Sequence, residues 1–102
     1  MKKTIFKGAG VALITPMNKD GSVNYDALGQ LIEFQIKNGT DAIITCGTTG
    51  ESATLSCEEK IKVIKFTVEK TAKRIPVIAG TGCNDTEATL KSSLKAQELG
   101  VD

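Results

Sequence analysis

The sequence predicts an α/β fold assembled from successive strand–helix units with parallel strands, and three observations carry that prediction. Apolar runs begin near residues 11, 42, 76 and 101, a spacing of roughly thirty residues that suits βα units. The first run is continuous in apolar character, as in a strand covered on both faces. The stretches between the runs show helical periodicity behind capping residues.

Each element has its own justification. Strand one is expected over Gly10–Thr15. Helix one is expected over Tyr25–Asn38, with Asn24 as N-cap, Leu28, Leu31, Ile32 and Ile36 on one face, and Gly39 as the stop. Strand two spans Ala42–Cys46. Helix two opens at Ser56, where Ser56 and Glu59 form a capping box, and carries Ile61, Ile64 and Val68 at helical spacing to about Ala72. Strand three covers Pro76–Ala79. Helix three starts after Asn84, with Glu87 completing a second box, and ends near Leu99 before Gly100. A fourth strand is expected to begin at Val101-Asp102. Such units open either a doubly wound sheet or a (β/α)8 barrel. A barrel needs roughly 250 residues, so under that reading residues 1–102 are only the N-terminal portion of a single barrel domain whose remainder is absent.

Composition narrows the function. The 102 residues are 40% hydrophobic and 25% charged, with 13 Lys+Arg against 12 Asp+Glu and 4% aromatics. That describes a soluble globular chain without the basic stripe or stacking platform that nucleic acid requires, and no membrane role is expected. Met1-Lys2-Lys3 followed by Ala9–Ile14 superficially resembles a secretory leader. Lys7 and Gly8 interrupt it and Pro16 ends it, so a first strand and a cytoplasmic location are expected. Cys46, Cys57 and Cys83 are odd in number and widely spaced; they read as buried or half-buried thiols, not as a disulfide framework or a zinc site. Histidine is absent, which removes histidine-based triads and histidine-bound metals from this stretch; no metal and no cofactor are expected.

The chemistry concentrates in Gly47-Thr48-Thr49-Gly50-Glu51-Ser52, following the apolar run Ala42–Ile44. Two glycines bracketing two hydroxyls at a strand end let the backbone approach a small ligand while hydroxyls and N–H groups point at it, which suits a carboxylate. Glu51 reads as a carboxylate that accepts loop amides and holds the turn. Gly80-Thr81-Gly82 is no dinucleotide fingerprint, since position 85 is aspartate; it shapes a pocket wall. Lys60, Lys62, Lys65, Lys70 and Lys73 read as a solvated helix face.

The segments Gly10–Met17, Gly47–Ser56 and Ile75–Gly82, in order and in register, resemble the dihydrodipicolinate synthase family. They share the G-[ST]-T-G-E core with the wider pyruvate-dependent aldolases, which include N-acetylneuraminate lyase. The resemblance implies the first three βα units and the start of strand four of a (β/α)8 TIM barrel. It implies condensation of pyruvate with aspartate semialdehyde in lysine and diaminopimelate synthesis, through a Schiff base on a barrel-strand lysine. By match to the family motif, Thr48 is the threonine of a hydroxyl proton relay. Thr49 holds the pyruvate carboxylate, with Gly47 and Gly50 contributing loop N–H groups.

The relay tyrosines and the lysine have no counterpart here. Tyr25 is the only tyrosine and starts helix one, and no lysine falls within an expected strand. The stretch alone is expected to be inactive. Its unpaired strand edges argue against a stable monomer, and the resemblance implies a homo-oligomer, a tetramer or dimer. Many family members carry a lysine feedback site at a subunit interface. Ser52, Ala53, Leu55 and Asn84 match its pattern, whereas Cys57 and Lys60 replace histidines and Ala88 replaces a glutamate, so weak or absent lysine inhibition is expected. Two other readings remain open, a non-catalytic small-ligand binding or interaction module and another pyruvate-dependent aldolase of N-acetylneuraminate or keto-deoxy-gluconate type.

Overall fold

The chain alternates strand and helix throughout: β1 (Gly10–Ala12), α1 (Tyr25–Lys37), β2 (Ala42–Thr45), α2 (Cys57–Thr71), β3 (Val77–Ala79) and α3 (Thr86–Glu98), with a 3-10 turn at Ser52–Thr54. The computed structural model describes residues 3–102. The leader reading of Met1 and Lys2 therefore lies outside the described residues. The three strands form one parallel sheet in the order β1-β2-β3, with Val11 beside Ile43 and Ile44 beside Ile78. Parallel strands joined by crossover helices are what the apolar spacing implied.

The helix signals hold with one correction. Asn24 Oδ1 accepts from the Ala27 N–H at 3.0 Å to cap α1, and Gly39 follows its end at φ +87°. Ser56 and Glu59 make both bonds of the capping box at α2, at 3.1 and 2.9 Å. At α3, however, Asp85 and not Asn84 is the cap. Its Oδ1 accepts from Glu87 N at 3.0 Å and from Ala88 N at 3.5 Å. A carboxyl side chain at this position satisfies orphan N–H groups at the positive end of the helix dipole. With Asp85 as cap the third helical residue is Ala88, so the expected second box cannot form.

The helices pack on one face of the sheet. Leu28 and Ile32 of α1, Val63 and Ile64 of α2 and Ile43 of β2 form the core with Leu13, Val23 and Leu55. Each fully buried Leu or Ile contributes about 1.5–3 kcal/mol relative to exposure. Tyr25 and Phe66 pack across α1 and α2 in a tilted arrangement, with ring centroids 5.2 Å apart and planes at 59°. The opposite face is open at β1, contrary to the expectation of a strand covered on both faces. Leu13 and Thr15 are buried, while Gly10, Ala12 and Ile14, on the other side of the pleat, are exposed. Only β2, flanked on both sides, is buried along most of its length.

Two strand ends also differ from expectation. The ladder of β1 continues only to Leu13, whose N–H donates to the Ile44 carbonyl at 3.0 Å. Cys46 leaves β2 in the left-handed region at φ 55°, which turns the chain out of the sheet plane. The expected fourth strand has its first bond, from Asp102 N to the Val77 carbonyl at 2.8 Å.

Candidate functional site

All three strands run in the same direction, so the loops after β2 and β3 lie at one end of the sheet. The chain climbs out of β2 through Cys46, whose left-handed backbone is unfavourable for a residue with a Cβ and redirects Gly47 across the sheet end. Thr48 and Thr49 are exposed there and Gly50 is buried beneath them. The turn closes on itself through Glu51 N to Thr48 O at 3.0 Å and Ser52 N to Gly47 O at 3.3 Å.

Glycine is required at Gly80 and fits a tight contact at Gly50. A Cβ on Gly80 would collide with the Cys46 carbonyl, and one on Gly50 would lie 3.1 Å from the Leu13 carbonyl. The Gly80 N–H donates to the Thr45 carbonyl at 2.8 Å. The β3 exit thus lies directly against the β2 exit.

Between these loops runs a groove whose lining includes Gly47, Thr48, Ser52, Ala53 and Asn84. Those five sequence-predicted site residues are brought together. Gly50 supports the loop from below and Thr49 stands at its exposed crest. Leu55 does not belong to the groove: it is 7% exposed and part of the hydrophobic core. Gly80 and Gly82 form part of the wall, as expected for the segment after strand three.

Three expectations are corrected here. The Glu51 carboxylate accepts no loop amide among the described residues. Its contribution is backbone, at φ 59° and ψ 37°, where it opens the 3-10 turn. Lys60 is not simply solvated, for it is half-buried and lines the groove, unlike the exposed Lys62, Lys65, Lys70 and Lys73. Cys46 is buried as expected, but Cys57 and Cys83 are exposed.

The thiols differ electrostatically for that reason. Burial pushes the Cys46 thiol up, because a thiolate there would be desolvated. The Cys83 thiol is lowered, first by hydrogen bonding with the Thr89 hydroxyl, which lies 3.3 Å away. Tyr25 is pushed up by burial and packs against Phe66, not in the groove. The described lysines all lie outside the strands, and no group of three or more Cys, Asp or Glu among the described residues is placed to hold a metal ion.

Thr15 is a residue that sequence reasoning passed over. It is 4% exposed, and its hydroxyl donates to the Gly50 carbonyl at 2.7 Å. The available signal was a hydroxyl directly before Pro16, where the chain must stay extended.

A model of the dihydrodipicolinate synthetase family matches residues 5–102. The chain belongs to this family. Over all 102 residues it is 61% identical to the 4-hydroxy-tetrahydrodipicolinate synthase of Acetivibrio thermocellus, of which it covers 35%. Among solved structures, dihydrodipicolinate synthase from Aquifex aeolicus matches with a TM-score of 0.92 and 57% identity, over 95% of this chain and 33% of that one. The Acinetobacter baumannii synthase, solved in complex with pyruvate, matches with a TM-score of 0.94 and 47% identity, over 97% of this chain and 34% of that one. The chain thus spans about a third of the length of the relatives it matches. No helix among the described residues is long and apolar enough to cross a membrane.

Proposed function

We propose that this chain forms the first three βα units and the start of strand four of a (β/α)8 barrel, and that the complete barrel is a 4-hydroxy-tetrahydrodipicolinate synthase. The observation that carries the reading is the loop Gly47–Gly50, folded over the strand ends with Thr48 on a groove and Thr49 at the crest. Active sites of such barrels lie at this end of the strands. The family match and the pyruvate complex of a 47% identical relative support the same reading.

In the proposed reaction a strand lysine from outside this sequence forms a Schiff base with pyruvate, with loss of water. The derived enamine then attacks the aldehyde carbon of aspartate semialdehyde. Thr49 and the loop N–H groups of Gly47 and Gly50 hold the pyruvate carboxylate. Thr48 accepts one hydrogen bond while donating another, which lets a hydroxyl pass a proton without becoming a strong base. This chain alone is inactive under the proposal, because every described lysine lies on a helix or loop and none stands on a strand, where the proposed Schiff base forms. The working enzyme is a cytoplasmic homo-oligomer that needs no metal or cofactor.

The test is a chimera in which residues 3–102 replace the corresponding part of the Aquifex aeolicus enzyme. Borohydride with pyruvate should leave a stable adduct on the chimera and none on the 102-residue chain. Turnover should require aspartate semialdehyde and ignore N-acetylneuraminate. A folded chimera that pyruvate and borohydride fail to label overturns the proposal.

A further inference from the structure

We infer that Thr15 is a positioning residue for the Thr48–Thr49 loop, acting through the Gly50 carbonyl; the inference rests on that loop being the pyruvate site. The internal bonds of the loop, Glu51 N to Thr48 O and Ser52 N to Gly47 O, close it on itself and leave its height above the sheet unset. Among the described residues, one hydrogen bond ties Gly47–Ser52 to a segment outside the β2–α2 connection: the Thr15 hydroxyl to Gly50 O, at 2.7 Å, buried and spanning 35 positions.

The surroundings make that bond decisive. A Cβ on Gly50 would lie 3.1 Å from the Leu13 carbonyl, 3.2 Å from Thr15 Oγ1 and 3.4 Å from the Cys46 nitrogen, so the loop is pressed onto the end of β1. Behind it, Cys46 holds a left-handed conformation that a non-glycine residue keeps only when its surroundings enforce it. Thr15 precedes Pro16, which biases it toward extended backbone, and its hydroxyl is turned onto the Gly50 carbonyl. Removing the hydroxyl leaves a buried carbonyl without its partner and favours a shift of the loop toward water.

Thr15→Val keeps the shape and deletes the donor, whereas Thr15→Ser keeps the donor. In the chimera, Thr15→Val should raise KM for pyruvate roughly tenfold and leave KM for aspartate semialdehyde within twofold, since small displacements of positioned groups carry large kinetic penalties. Thr15→Ser should restore the parent value. Independently of activity, amide exchange at Glu51 and Ser52 without substrate should be about tenfold faster in Thr15→Val than in the parent or Thr15→Ser. Should Thr15→Val not fold, Thr15→Ala is read in its place. Unchanged exchange at both amides, or failure of serine to rescue, overturns the inference. A chimera that pyruvate never labels overturns the pyruvate reading instead, and exchange still decides whether Thr15 anchors the loop.

Discussion

The Asp102 N–H donates to the Val77 carbonyl at 2.8 Å, and the Val77 N–H donates to the Asp102 carboxylate at 3.1 Å. Both outward-facing polar groups of one β3 residue are thus satisfied by a single residue. Parallel pairing repeats every second residue, so Ala79 presents the next outward pair, and no such partner is found for it among the described residues. Among the described residues the opposite edge, at β1, has no pairing strand either. Leu90 and Leu94 on α3 and Phe34 on α1 remain 60%, 54% and 58% exposed. Unpaired strand edges together with apolar helix faces drive self-association. Sedimentation velocity of the 102-residue chain at about 10 μM, within the range where such surfaces aggregate, should show concentration-dependent oligomers. A monodisperse monomer across a wide concentration range would refute this.

Thr48 and Thr49 should separate kinetically. Thr48 lines the groove and is assigned to proton transfer, so Thr48→Val in the chimera should lower kcat by roughly 100-fold or more with little change in KM for pyruvate. Thr49 is assigned to the carboxylate, and Thr49→Val should act mainly on KM for pyruvate. Steady-state rates decide the matter, and retained full turnover in both variants sinks the two assignments together.

Much of this arrangement is legible in the sequence, and the reasons for the rest are physical. Helix positions follow from periodicity and caps, which are local. Asn84 and Asp85 are both strong N-cap residues, and only the backbone geometry selects Asp85. The left-handed turn at Cys46 could not be read, since nothing about a cysteine predicts φ 55°. The Cys46 carbonyl lies close against Gly80, a contact between segments more than thirty residues apart. Lys60 departs from the solvated face formed by Lys62, Lys65 and Lys70 of α2 because the groove wall beside it comes from the distant β3 loop. The Thr15–Gly50 bond joins positions 35 apart, beyond the reach of any periodicity argument.

The cysteines should part in their pH dependence. A lowered pKa means that the Cys83 thiolate forms at lower pH than an ordinary cysteine, so its alkylation rate should level off earlier as pH rises. Cys46 is raised by burial and should resist labelling until the protein unfolds. An iodoacetamide pulse between about pH 6 and 9, read by peptide mass spectrometry, measures both. Thr89→Val should move the Cys83 midpoint upward. A Cys83 midpoint above that of free cysteine, or labelling of native Cys46 at a similar rate, contradicts the argument.

Thr71, the last residue of α2, is fully buried, and its hydroxyl has no hydrogen-bond partner among the described residues. Thr67, one turn earlier and equally buried, donates to the Val63 carbonyl at 2.7 Å. A buried hydroxyl without a partner carries a desolvation cost of about 1–3 kcal/mol. Thr71→Val should therefore raise the stability of the chimera by about 1 kcal/mol, while Thr67→Val is neutral or destabilising. Urea midpoints distinguish them, and a lower midpoint for Thr71→Val refutes the assignment.

Lysine should inhibit the chimera weakly or not at all. Cys57, Lys60 and Ala88 line one cavity between α2 and α3, at the positions where lysine-sensitive family members are expected to carry two histidines and a glutamate. An ammonium at Lys60 repels a cationic effector. At a separation of about 4 Å and an effective dielectric of 20 the repulsion reaches about 4 kcal/mol, and partial exposure of Lys60 reduces it by screening. Ala88 removes the carboxylate that would otherwise offset it. Initial rates should thus stay above half of their uninhibited value at about 1 mM lysine, where even a single uncompensated like-charge contact suppresses binding. Replacing Lys60 by histidine and Ala88 by glutamate together should bring sensitivity back, because the pair removes the repulsion and supplies a counter-charge. Half-inhibition of the unsubstituted chimera at sub-millimolar lysine would show that the effector is held by groups other than these.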